Sequence, residues 1–159
     1  MGIMLPVAED LVGLGILVFV LVQQLRARRL RPFPVIGSFL AVIGTISLVI
    51  LVVKHVVTPE QTAVMVGSLA VTAALAVARG FVTSLWRAHD GSLMRQGGGI
   101  TSALWLLAIG QHIVADTVLP PGVGIATLSL FFGVSLVAQV VTLGRRAGGA
   151  ARSDRRAGV

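Results

Sequence analysis

The sequence predicts an all-helical membrane protein: a five-helix transmembrane bundle with the N-terminus outside, the C-terminus cytoplasmic and a short β-hairpin-like loop at the cytoplasmic surface. Three observations carry that expectation. Of 159 residues, 55% are apolar and only 12% are charged, about half the globular share of roughly 25%. Mean hydropathy is +0.94. The 13 Lys and Arg residues sit almost wholly outside the apolar runs. So few charges cannot cover so much apolar surface in water, and a chain with this much to bury does not stay disordered. The absence of cysteine excludes disulfides, zinc–thiolate sites, iron–sulfur clusters and thiol catalysis together.

A helix needs ~20 mostly apolar residues to cross the hydrocarbon. The first span runs from about Leu11 to Leu25 and extends back to residue 5 if Ile3–Ala8 lends turns. The second is Val35–Val53, reaching 54 with Lys54, and the third is Thr62–Ala78, at most 61–79. The fourth is Ile100–Leu119, and the fifth is Gly124–Leu143, or 123–143. Breakers separate them: Arg31-Pro32-Phe33-Pro34, Thr58-Pro59-Glu60, Gly97–Gly99 and Pro120-Pro121-Gly122. Residues 1–146 form the bundle, and 147–159 read as a disordered basic cytoplasmic tail.

Orientation follows from the positive-inside bias. Arg26, Arg28, Arg29 and Arg31 follow the first span. Arg79, Arg87 and Arg95 lie between the third and fourth, and five more arginines follow the fifth. All but Lys54 of the 13 basic residues therefore fall on one side. The first segment has no basic n-region and is followed by a basic cluster, so it reads as a retained span of a multi-pass protein in a bacterial cytoplasmic (inner) membrane. The tail arginines fit anionic lipid, and no nucleic-acid partner is expected.

Small residues let helices approach closely in lipid. Gly37, Ala41 and Gly44 line one face of the second span, with His55 on the same line. Ala63, Gly67, Ala70 and Ala74 form a ridge on the third, and Gly122, Ala126, Ser129 and Gly133 on the fifth. These ridges are expected to pack within the bundle; a homo-oligomer seam is the alternative.

Ionisable groups at membrane depth are costly and therefore functional candidates. Gln111, His112 and Asp116 occupy the fourth span, His112 and Asp116 at i and i+4 with Trp105 on the same stripe. Lys54, His55 and Glu60 arrive at similar height, so an outward-facing polar or ligand site of His55, His112, Asp116, Lys54, Glu60 and Gln111 is expected. Four readings stay open. His112 and Asp116 serve a proton relay or solute site; the His and carboxylate groups hold a divalent metal; His55 and His112 ligate haem; or His112 and Asp116 merely satisfy each other while Lys54 and His55 snorkel. No cofactor is otherwise expected. Ser135, Gln139 and Thr142 form an i, i+4, i+7 line and read as interhelical hydrogen-bonding groups.

The loop from Arg79 to Gly99 carries Asp90-Gly91 between apolar-containing runs, a two-residue hairpin signal. That turn sets Trp86 opposite Arg95 in reach of a cation–π contact. Trp86, Arg87, Asp90, Gly91 and Arg95 are the candidate cytoplasmic docking loop. The loop also carries a resemblance: Ala78-Arg79-Gly80, Trp86-Arg87, Asp90-Gly91, Arg95-Gln96-Gly97-Gly98 and Trp105 make the chain similar to the CcdC-like family of small bacterial membrane proteins over about 30 residues. The resemblance implies a multi-span integral membrane protein without an assigned activity, its name pointing to cytochrome c biogenesis. With no cysteine here, any thiol relay would belong to a partner.

No metalloprotease, serine-hydrolase or P-loop motif is present, nor a helical carboxylate pair. The expectation is a non-enzymatic interaction, assembly or regulatory module in the lipid bilayer, with a membrane-protein partner or a second copy. The alternatives are a small-solute or proton-coupled carrier and a bis-His haem protein.

Overall fold

The computed structural model describes residues 22, 25–30, 35–120 and 123–157, with side chains at all of these except 125, 126 and 150–157. In chain order they form β1 (Arg28–Arg29), α1 (Val35–Val53), α2 (Pro59–Val82), β2 (Ser84–Arg87), β3 (Leu93–Gln96), α3 (Gly99–Asp116) and α4 (Val123–Ala157). Four helices of the expected five are present among the described residues; of the first expected span only Val22 and Leu25 are described. α1, α2 and the 127–149 stretch of α4 are long and apolar enough to cross a membrane. α3 falls short of that because Gln111, His112 and Asp116 interrupt its apolar run.

The surface of α1 explains its composition. Ile36 and Phe39 are 70% and 64% exposed, and Val42, Ile46, Val49 and Val53 continue the apolar sheath, a surface suited to hydrocarbon rather than water. The opposite face is made of small residues and packs antiparallel on α4. A Cβ at Gly37 would crowd Leu136 and Val137, one at Gly44 would collide with the Leu130 backbone, and one at Gly133 with the Ala41 backbone. The expected Gly37–Ala41–Gly44 ridge is thus a helix seam inside the bundle.

α2 starts with Pro59 at its first turn, and its expected start at 61 or 62 moves back to there. The reason is a capping box. Thr58 Oγ1 accepts from the Gln61 backbone N–H at 3.2 Å, and the Gln61 side chain accepts from the Thr58 N–H at 2.9 Å. α2 turns Met65, Thr72, Ala76, Arg79 and Gly80 inward. The small ridge Ala63, Gly67, Ala70 and Ala74, expected to pack, is exposed instead. Gly80 decides the rotation, because it lies so close to Thr142 that a Cβ would not fit.

α2 ends at its carbonyls: Arg146 donates to Gly80 O at 2.6 Å and Thr83 O at 2.8 Å, acting as a C-cap. Arg146, counted in the sequence only as an orientation signal, therefore fixes where α2 stops. α4 runs past Leu143, the expected end of the fifth span, through the stretch from 147 expected as a disordered tail; Ala and Arg favour helix.

At the end of the bundle where α2 stops and α3 begins, β1, β3 and β2 form an antiparallel three-stranded sheet with β3 in the centre. The expected hairpin is present, but its register differs. Trp86 pairs with Met94, and Leu85 with Arg95. The turn holds three residues, His89-Asp90-Gly91, instead of two. The Gly91 N–H donates to Ala88 O at 2.9 Å and the Ala88 N–H to Ser92 O at 2.8 Å, while Gly91 takes φ +77°. This is a type I turn closed by a left-handed glycine, and the extra residue slides Trp86 off Arg95.

Candidate functional site

The expected outward-facing site assembles in part. Lys54 and His55 form the turn after α1, both exposed, with His55 at φ +53°; the helix stops at Val53, so His55 leaves the Gly37 line. Glu60 is exposed in the first turn of α2. Neither His55 nor Glu60 contacts the α3 groups in any described interaction, and no group of three or more His or carboxylate residues is placed to hold a metal among the described residues.

His112 and Asp116 do share a face. The His112 ring stacks on Phe131 of α4 with centroids 4.6 Å apart, and the Gly124 backbone lies within hydrogen-bonding reach. The Asp116 carboxylate lies so close over Gly124 that a Cβ there would displace it, at the positive end of the α4 dipole. Beside His112 is a cavity of about 20 Å³ lined by Met65, Ser68, Leu69, Ala115, Leu119 and Thr127, room for one water. Gln111 turns to α2 instead: it accepts from Ser68 Oγ at 3.1 Å and donates to Thr72 Oγ1 at 2.8 Å. It is an interhelical clamp, and it also lines an open groove between α2 and α3 with Gly67, Val71, Leu107 and Val114.

Toward the sheet end, the α2/α3/α4 junction encloses Arg79. Its side chain is fully buried. The guanidinium carbon lies 3.8 Å above the centroid of the Trp105 ring, and Nη2 donates to Ser135 Oγ of α4. Among the described residues Nε and Nη1 have no acceptor, and the Trp105 indole N–H, the Ser102 hydroxyl and both amide atoms of Gln139 also find no partner. Removing an ionised group from water costs several kcal/mol unless it is paired. Among the described residues no carboxylate approaches Arg79; their one ion pair is Arg29–Asp90.

Sequence reading counted Arg79 with the orientation charges and missed this site. A signal was available: the apolar run continues through Phe81-Val82, so Arg79 falls inside the helix. Thr72, Ala76, Arg79 and Thr83 also repeat at helical spacing. The Ser135–Gln139–Thr142 line is buried as expected, but of the expected interhelical hydrogen bonds only that of Ser135 to Arg79 is made among the described residues; Thr142 donates to Ala138 O of its own helix.

The sheet gathers the docking-loop residues. Arg28 stands directly opposite Arg95, and Arg87 is two residues from Leu85, the other neighbour of Arg95. Like charges placed opposite are unfavourable. Partial burial pushes the Arg95 guanidinium below its usual range, and Arg28 adds to the effect. Arg29, on the other face, pairs with Asp90 at 2.8 Å. Asp90 also accepts from the Ser92 hydroxyl at 2.6 Å and the Ser92 N–H at 3.0 Å. These Ser92 bonds, then Arg29, hold its carboxyl below the ordinary carboxylate value. Trp86, 38% exposed, lies over Met94 and not over Arg95.

Comparison with known proteins finds no matching family model, no matching curated protein and no matching solved structure.

Proposed function

We propose that this chain is a non-enzymatic membrane interaction module that docks an acidic segment of a membrane-associated partner on its basic sheet. The carrying observation is Arg28 facing Arg95 across the β1–β3 ladder with Arg87 nearby. The single described carboxylate on the sheet, Asp90, is already engaged by Arg29 on the other face. An uncompensated arginine face costs the free protein stability and favours binding of an anionic surface. The positive-inside distribution supports a cytoplasmic position for this face, in a bacterial inner membrane as part of the same proposal, to which membership of the CcdC-like family, suggested by the same loop, also belongs.

Affinity recovery from solubilised membranes tests it. Arg28→Glu with Arg95→Glu should remove a partner that the wild type co-purifies, Trp86→Ala should reduce it less, and equal recovery in the double variant counts against docking.

A second reading, a proton-coupled or small-solute carrier, is favoured by one observation: polar groups run along the α2/α3/α4 junction from Asp116 and His112 through Ser68, Gln111 and Thr72 to Arg79 and Gln139. In liposomes, His112→Ala and Asp116→Asn should then abolish flux; unchanged flux removes this reading.

A further inference from the structure

The environment of Arg79 is hard to reconcile with packing alone. An apolar side chain of similar volume would fill the junction without the desolvation penalty, and a simple snorkelling arginine would not be fully buried. Its unpartnered neighbours have a definite chemical bias. Arg79 Nε and Nη1, Trp105 Nε1 and Gln139 Nε2 are donors, Gln139 Oε1 is the one pure acceptor, and the Ser102 hydroxyl serves either way. Ser135 orients the guanidinium through Nη2, and the guanidinium carbon lies over the Trp105 ring. A positive charge among surplus donors recognises an anion.

We propose that the Arg79–Trp105–Gln139 junction binds a single anionic oxygen group, a carboxylate or a phosphate, entering from the sheet end. Depth supports that entry. Arg79 is three residues from the end of α2, and Trp105 six from the start of α3, about 5 and 9 Å along their helices. Both lie within reach of a lipid headgroup or a dissolved ion at that end. Arg79 supplies the charge, Gln139 and Trp105 supply neutral donors, and Ser135 holds the guanidinium in place. This site is separate from the sheet and does not depend on docking there.

The protein carries two tryptophans, so Trp86→Phe leaves Trp105 as a sole reporter in contact with Arg79. In phosphatidylcholine nanodiscs, sodium acetate and sodium phosphate titrated at constant ionic strength should change Trp105 emission saturably. Arg79→Gln should abolish the response, and Gln139→Leu should weaken the apparent affinity about tenfold, the loss of one hydrogen bond to a charged group. A response that needs phosphatidylglycerol in the disc, with no soluble anion, supports the site and identifies the headgroup as its source. The proposal is overturned if emission is indifferent to all of these anions, or if the response is the same in Arg79→Gln or, should that variant fail to fold, in Gln139→Leu.

Discussion

Arg79 and Asp90 illustrate opposite ways of placing a charge. Asp90 stays at the surface and is engaged by Ser92 and Arg29, so its ionised form is the favoured one in the folded sheet. Its folded pKa is depressed, chiefly by the Ser92 bonds and further by Arg29. Its contribution is therefore present above the unfolded value of about 4 and is lost as pH falls through the lower folded value. Hydrogen-exchange protection of the β3 amides, scaled to intrinsic rates at each pH, should be flat above pH about 4 and fall below it. Asp90→Asn should flatten that dependence, and an unchanged profile would remove Asp90 from the account. Arg79 goes the other way, into the junction, where Trp105 and Ser135 engage it only in part.

Among the elements, α1 and α2 use small residues differently. Gly44 is pressed on the Leu130 backbone, whereas a Cβ at Gly67 would meet nothing within 4 Å. Gly44→Leu should overpack the α1/α4 seam, destabilising it by roughly 1–3 kcal/mol or more. Gly67→Ala should be neutral or slightly stabilising, because alanine favours helix by up to ~1 kcal/mol. Thermal unfolding in detergent reads both, and equal losses would contradict the assigned faces. This contrast also marks what was legible. The Gly37–Ala41–Gly44 and Ser135–Gln139–Thr142 patterns announced buried faces, because small or polar residues at helical spacing have few other uses in lipid. The Ala63–Gly67–Ala70–Ala74 ridge had the same pattern and is exposed, since the rotation of α2 is set by contacts with α4 at Gly80 that no single-helix pattern contains. The hairpin was legible from Asp90-Gly91, and its register was not: whether Gly91 closes a two- or three-residue turn decides which residue faces Arg95.

Across the described helices, α1 begins, α2 ends and α3 begins beside the sheet, and α4 reaches that end at Arg146 before running on to Ala157. The apolar runs and breakers revealed the described helices to within about a turn at most ends, and the arginine distribution revealed their shared basic end. The individual jobs of those arginines were hidden, because one residue type caps α2 at Arg146, pairs with Asp90 at Arg29, faces a like charge at Arg95 and is buried at Arg79. Only three-dimensional neighbours separate these roles. The outer polar cluster is met in part by described contacts: His112 and Asp116 share a face, whereas His55 and Glu60 are exposed after α1 and in the first turn of α2.

The central claim is that the arginine face of the sheet meets an acidic partner, and photo-crosslinking in intact cells tests it most directly. A photoreactive residue at Arg87 should give one discrete adduct that disappears when Arg28→Glu and Arg95→Glu are added, while the same probe at Val49, on the exposed face of α1, gives none. Adducts that persist after charge reversal, or that form equally at both positions, would contradict the account.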